Sequence, residues 1–453
     1  MSGAVAAHAA YNNSGTQALA VTNKIDGEED VLSVFWNKND TLKQLLYGSA
    51  VLEIPTSGTG SGSTFGGSQI FTVNNDIDCL GDLWAAVTVT GAVHANDVGA
   101  LAPFGLVNAI KRIEFQVGTQ IWQTLEKDDL LGLLSTELSE SAFEKLGVQA
   151  NGWMSSTGKY HDGASKEGAP AAAAGLSATY FPSGTADCMC YVPLHLITKT
   201  LAPRLEKFSD QTEGGYPLAA APHQSVKIKL VYASTAEILT TTPHADTKPI
   251  LNVKLLGKHQ IMCNEERQSI KSMPNGVPKR LKMTQNSHHA SGAAATETSF
   301  DLDHFSLYAS HILIQADALA SDANAATCGL EYAELKLNSS SYSGKLDGTF
   351  LRFASGESMG LYGNDWYVAK TSEDGDSSAT LNDTGTRAMR RGTGYYVFPL
   401  ASRAYGGSGV PFNRFDNIRL TLKFTCAVSA VNITCVGETT ALFKGGSASL
   451  AMY

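Results

Sequence analysis

Residues Thr393–Thr425 read TGYYVFPLASRAYGGSGVPFNRFDNIRLTLKFT, and the last third of the stretch alternates without a break. Ile418, Leu420, Leu422 and Phe424 fall on one face, while Arg419, Thr421 and Lys423 fall on the other. A period of two is the pattern of a half-buried strand. The run YYVFPLA before it, β-branched and aromatic, reads as a second strand. Between them Gly406-Gly407-Ser408-Gly409-Val410-Pro411 forms a loop, free at its glycines and stiffened at its proline. The unit is strand, long turn, strand, and it carries no catalytic group.

Composition extends this reading to the whole chain. At 453 residues it suits two domains of about 200 residues each, long enough to bury two cores without metal or disulfide staples. Charged residues make up only 17% while Gly alone numbers 43, which fits an all-β protein with many turns and large covered surfaces. A formal net charge of −9 argues against direct nucleic-acid binding, which needs a basic face. No apolar run reaches the roughly 18 residues of a membrane helix. The N-terminal MSGAVAAHAAYNNSGTQ has neither the basic start nor the apolar centre of a secretory signal, so cytosolic synthesis is expected. The seven cysteines (Cys79, Cys188, Cys190, Cys263, Cys328, Cys426, Cys435) are dispersed without a C-x-x-C and read as buried free thiols.

Along the chain, residues 1–45 form a small, polar arm with an acidic patch at Asp26–Asp30. The first sandwich is assigned to residues 46–236. It holds the strand SAVLEIP, the glycine-rich loop 56–68, and two strands joined around Gly81-Asp82. Next come the strand IKRIEFQV, a helix carrying Leu130, Leu131, Leu134 and Leu138, a long loop at 150–186, and the strands CMCYVPLHL and SVKIKLVY. The Thr/Pro-rich stretch within 237–249 marks a linker. Residues 250–453 restart the alternation at Leu251, Val253 and Leu255 and are assigned to the second sandwich, with a Gly/Ser/Asp-rich loop region at 341–392.

The stretch that opens this section resembles the C-terminal signature of the major capsid proteins of nucleocytoplasmic large DNA viruses, with Phe412, Asn413, Arg414, Asp416 and Asn417 in the places of its turn. Other segments match that family in the same order. They are IKRIEFQVGTQ (Ile113, Glu114, Gly118, Gln120), YPLAAAPHQSVKI (Leu218, His223, Val226, Ile228), the Glu266-Arg267 pair and the Gly-Asp-Leu of IDCLGDLWAAV. The first 50 residues lack that family's Asn-Pro-Gln-Ile and Tyr-x-Arg-x-Thr signatures. The resemblance implies two tandem eight-stranded jelly-roll β-sandwiches, a double jelly-roll, with short inserted helices and long surface loops. It also implies a structural virion protein of a large dsDNA virus, assembled in the host cytoplasm. Its homotrimers would form pseudo-hexagonal capsomers of an icosahedral shell. Its neighbours would be minor capsid and penton proteins, with an inner membrane nearby that it does not span. No cofactor and no metal are implied.

The chain contains no G-x-S-x-G, no H-E-x-x-H and no zinc spacing. A carbohydrate-binding or glycan-cleaving two-module jelly-roll is the rival reading, for which Glu28-Glu29-Asp30, Asp128-Asp129, Asp301 and Asp303 are the candidate acids. Solvated turns and helix N-terminal acids explain them more simply. His288-His289 reads as a surface pair with no acid nearby. Sequons stand at Asn12, Asn39, Asn338, Asn382 and Asn432, and Asn338 and Asn382 are the candidate glycan positions because they lie near expected outer loops.

Overall fold

A computed structural model describes residues 46–57, 64–74, 77–90, 104–150, 187–194, 196–198, 215–238, 249–262, 267–268, 277–290, 297–318, 329–362, 395–402, 404 and 409–451. The N-terminal arm, the 150–186 loop apart from Ala150, and the 363–394 part of the second loop lie outside the described residues.

In chain order the first half contains β1 (Leu46–Ile54), β2 (Ser68–Thr72), β3 (Cys79–Thr90), α1 (Gly105–Asn108), β4 (Ile110–Val117), β5 (Gln120–Glu126), α2 (Lys127–Glu137), α3 (Glu140–Ala150), β6 (Asp187–Leu194), β7 (Val226–Tyr232), α4 (Thr235–Ile238) and β8 (Ile250–Met262). The second contains β9 (Val277–Ala290), β10 (Glu297–Asp301), β11 (Tyr308–Ala318), β12 (Leu330–Leu337), β13 (Ser340–Asp347), α5 (Gly348–Phe353), α6 (Ser355–Ser358), β14 (Tyr396–Pro399), β15 (Val410–Pro411), β16 (Ile418–Phe424), β17 (Val428–Lys444) and β18 (Ser447–Ala451). The alternating segments become strands with the expected faces inward. Ile418, Leu420, Leu422 and Phe424 are buried on β16, and Val226, Ile228, Leu230 and Tyr232 are buried on β7.

The strands pair into four sheets whose orders repeat. The first half gives β1-β8-β3-β6 facing β2-β7-β4-β5, and the second gives β9-β17-β11-β14 facing β10-β16-β12-β13. Strand for strand these eight-stranded orders are the same jelly-roll, with β1 beside β8 and β9 beside β17, and β15 and β18 are additions to the second. The sequence assigns Ile250–Met262 to the second sandwich. The structure corrects this, because β8 hydrogen-bonds to β1 and β3 along almost its whole length. The period of a strand shows which face is wet, not which sheet it joins. Two further expectations need correcting. Cys79–Thr90 is one strand with a bulge at Gly81-Asp82, not two strands. Within 341–392, Ser341–Asp347 belong to β13 and Gly348–Ser358 form α5 and α6 around Ala354.

The repeat reaches into the details. In each sandwich a bulge on the third strand faces a glycine of the neighbouring strand, Gly257 of β8 in one and Gly437 of β17 in the other. A Cβ at Gly437 would lie 2.2 Å from the Tyr308 carbonyl oxygen, so no side chain fits there. The matching strands β7 and β16 are each entered through Pro and a three-residue 3-10 turn, Leu218–Ala220 and Phe412–Arg414. In the second turn the FNRFDN motif is held by side chains. Asn338 Oδ1 accepts the Asp416 and Asn417 amides at 3.0 and 3.2 Å, and Asp303 Oδ1 accepts the Ile418 amide at 2.7 Å. Asn338 and Ser339 make the two-residue β12–β13 turn with φ 47° and 68°, the left-handed pair that such a hairpin requires.

Candidate assembly interface

Among the described residues, the junction between the sandwiches is built around α2, which starts directly from β5. Glu126 caps the helix, and its amide donates to Asp129 Oδ2 at 3.0 Å in a capping box. Leu130, Leu133 and Leu134 are buried in the apolar core. The opposite side of the helix lies on the outer face of the β9-β17-β11-β14 sheet. There Asp129, 1% exposed, accepts from Asn432 Nδ2 (3.0 Å) and Thr434 Oγ1 (2.5 Å) of β17 and from Asn286 Nδ2 (2.7 Å) of β9. Glu137, at the end of α2, forms a buried ion pair with Lys282 of β9. Gly132 leaves room for Tyr395, whose hydroxyl donates to the Asp128 carbonyl at 2.8 Å. Below the helix, Gln123 of β5 donates to Thr284 Oγ1 of β9 at 2.9 Å, and the rings of Tyr216 and Phe443 meet edge-on at 5.4 Å. The C-terminal β17–β18 hairpin adds a latch, with Ala448 N donating to Gln224 Oε1 at 2.7 Å and His223 N to Gly446 O at 3.0 Å.

This docking explains why β17 is buried on both faces from Val431 to Gly437. Its inner residues face their own core, while Asn432, Thr434 and Val436 lie on the face that α2 covers. Burial also sets the local charge states. Desolvation raises the Asp128 carboxyl above its ordinary range, and it raises Glu126 too, against the opposing pull of Arg112. His311, fully buried on β11 beside Glu137 and Lys282, is lowered by desolvation to about 3. Between the usual histidine value of about 6.5 and that figure, only the unfolded chain takes up the proton. Stability should therefore fall as pH drops through this window, by up to about 1.4 kcal/mol per pH unit from this group. A His311→Gln variant is expected to show a flatter melting profile over the same range, and parallel profiles would refute this assignment.

The residues singled out from sequence are scattered rather than gathered into one cleft. Asp129 is the anchor just described, Asp301 pairs with Arg419 at 2.8 Å, and Asp303 holds the β16 turn. His288 does have an acid near it, contrary to expectation: its Nε2 lies 3.9 Å from Asp129 Oδ2. Asn338 is exposed at its turn, whereas Asn432 is buried against Asp129. Asn12, Asn39, Asn382 and the acids at 28–30 lie outside the described residues. Arg267 of the Glu-Arg pair grips buried Asp78 with two nitrogens, at 2.6 and 2.7 Å, tying the chain after β8 back to the first sandwich. Cys79, Cys188, Cys190 and Cys435 are buried free thiols, and burial pushes the Cys188 thiol up to about 12. Cys426 is disulfide-bonded, which corrects the expectation of free thiols throughout. Among the described residues no group of three or more His, Cys, Asp or Glu side chains is disposed to hold a metal ion, and no helix is long and apolar enough to cross a membrane. The docking face of α2 escaped sequence reading because Asp129 looks like any helix N-terminal acid.

Two jelly-rolls of identical strand order, joined in tandem, define the double jelly-roll fold. No protein-family model and no curated protein sequence matches the chain, but solved capsid structures share this fold over nearly its full length. VP54 of PBCV-1, as fitted into a reconstruction of the virophage Sputnik, superposes with a TM-score of 0.63 at 13% identity, covering 92% of this chain and 99% of that one. The subunit of the PBCV-1 virus capsid gives 0.61 at 14% identity, with coverage of 92% and 99%. The Faustovirus major capsid protein gives 0.58 at 9% identity, with coverage of 95% and 97%. At these identities the likeness is one of fold.

Proposed function

We propose that the chain is a shell-building subunit, the major capsid protein of a large dsDNA virus. Three copies close into a pseudo-hexagonal capsomer, and capsomers tile an icosahedral shell assembled in the host cytoplasm. Minor capsid and penton proteins are its neighbours, an inner membrane lies nearby, and no nucleic acid is bound directly. The subunit performs no catalysis in this reading, and the candidate acids Asp129, Asp301 and Asp303 serve a helix cap, an ion pair and a turn. We place the division between sandwiches after β8, within 263–276. Asn338, exposed at a hairpin tip, stays the candidate glycan position among the described residues.

The observation that carries this reading is the head-to-tail junction inside the chain. Two copies of one fold meet through different patches, α2–β5 on one and β9–β17 on the other. A contact of that kind leaves a complementary patch unused at each end, and repeating it closes a ring or grows a filament. Nearly full-length likeness to capsid folds favours the ring. Light scattering on the purified protein should give three times 48.0 kDa. A monomer at every concentration overturns the reading.

A further inference from the structure

The two sandwiches share a topology but differ in burial, and the differences fall on the elements that meet at the junction. In the first, β5 buries Trp122, Gln123 and Leu125. Its counterpart β13 is exposed at every position except half-buried Ser343 and Leu346. In the second, β9 buries Leu281, Lys282, Met283 and Thr284 in succession, so both of its faces are covered. Its counterpart β1 exposes Ala50, Val51, Leu52 and Glu53 in succession.

The helices match residue by residue. α2 and α5 each follow directly on a hairpin, the first capped by Glu126 and the second by Asp347, which accepts from the Thr349 and Phe350 amides. The fourth residue of each, Leu130 and Leu351, is buried in its own core. The third and sixth residues of α2 are Asp129 and Gly132, the ones that meet the second sandwich. The third and sixth of α5 are Phe350 and Phe353, which are 43% and 62% exposed. Two aromatic rings in water on one six-residue helix stand where the other helix makes its contact.

The surface equivalent to the one α2 covers is the outer face of the β1-β8-β3-β6 sheet. Strand register puts Trp84, Ala86, Leu256, Pro193, Tyr191 and Val51 together on that face. Tyr191 is 46% and Val51 55% exposed. The face is apolar and aromatic, with Lys254, Lys258 and Glu53 among these residues, and it suits phenylalanine better than the carboxylate that anchors the internal junction.

We propose, resting on the assembly reading above, that Phe350 and Phe353 of α5 in one copy seat against the outer face of the β1-β8-β3-β6 sheet of a second copy. The contact repeats the internal junction in placement but replaces its buried polar anchor with aromatic packing. The occupant is a second copy because the structure already shows how the equivalent patches mate inside the chain, and among the described residues the uncovered counterparts, α5 and the β1-β8-β3-β6 face, belong to the two sandwiches of the same chain. The contact is heterologous, so each copy gives α5 and receives it once.

The full chain is used for the test. Phe350→Asp with Phe353→Asp should bring the particle mass from three chains to one while the melting temperature of the monomer and its β-sheet circular dichroism persist. Val51→Asp with Tyr191→Asp on the receiving face should do the same. Independently, mild oxidation of a mixture of Phe353→Cys and Tyr191→Cys proteins should give a linked dimer, and neither protein alone should. Trimers that persist in both double variants, or cross-links within one variant only, overturn this interface and leave the assembly reading standing. A wild-type protein that is monomeric overturns both.

Discussion

Replacing Glu137 with alanine is expected to destabilise the protein by about 3–5 kcal/mol, the cost of depriving a buried ammonium of its carboxylate. Lys282 is 2% exposed, and Glu137 reaches it from the far end of α2, so the pair bridges the two sandwiches. The effect should be read against a double replacement. Burying two charges costs much of what their attraction returns, so Glu137→Leu with Lys282→Met is expected to recover most of the loss. Lys282→Met alone should cost less than Glu137→Ala, because Glu137 sits at the end of its helix and can turn toward water. At roughly 2–4 °C per kcal/mol for domains of this size, Glu137→Ala should lower the melting temperature by on the order of 10 °C. A cycle in which the two single changes simply add would show that the pair is not coupled.

How far the sequence could be read depended on whether each strand kept one wet face. β16 and β7 did, and their alternation gave both the element and its inward side. β17 did not, because α2 covers its second face; burial there runs unbroken from Val431 to Gly437. β9 left almost no hydrophobic trace, since Lys282 and Thr284 are buried through their polar partners Glu137 and Gln123 rather than by apolarity. β13 failed in the opposite way: SSYSGKLD is exposed nearly throughout and passes for loop. The helix of α2 was visible in its leucine spacing, but its docking face was not, because Asp129, Gly132 and Glu137 acquire meaning only from partners 145 to 305 residues away. The same blindness hid Phe350 and Phe353, whose significance lies in the contrast between two halves that are alike in fold and unlike in sequence.

Asp129→Ala is expected to cost about as much as the loss of Glu137 and to act more locally. One carboxylate serves a helix cap and three side-chain donors, two of which, Asn432 and Thr434, are buried. Losing the cap costs about 0.5–2 kcal/mol. Each buried donor stripped of its acceptor costs roughly 1–3 kcal/mol, and the costs are shared rather than additive. Asp129→Asn should fall between alanine and the wild type, since its one carbonyl oxygen can serve Asn432 and Thr434 while its NH2 faces the Asn286 donor and the Glu126 amide. Hydrogen exchange should locate the damage. Amides of α2 and of β17 around Asn432–Thr434 should lose protection, while those of β3 and β8, in the other sheet of the first sandwich, should keep theirs. Uniform loss over both sandwiches would mean that Asp129 supports the fold as a whole. Loss confined to the junction would show that each jelly-roll holds its own core, and that this carboxylate fixes how one sandwich sits on the next.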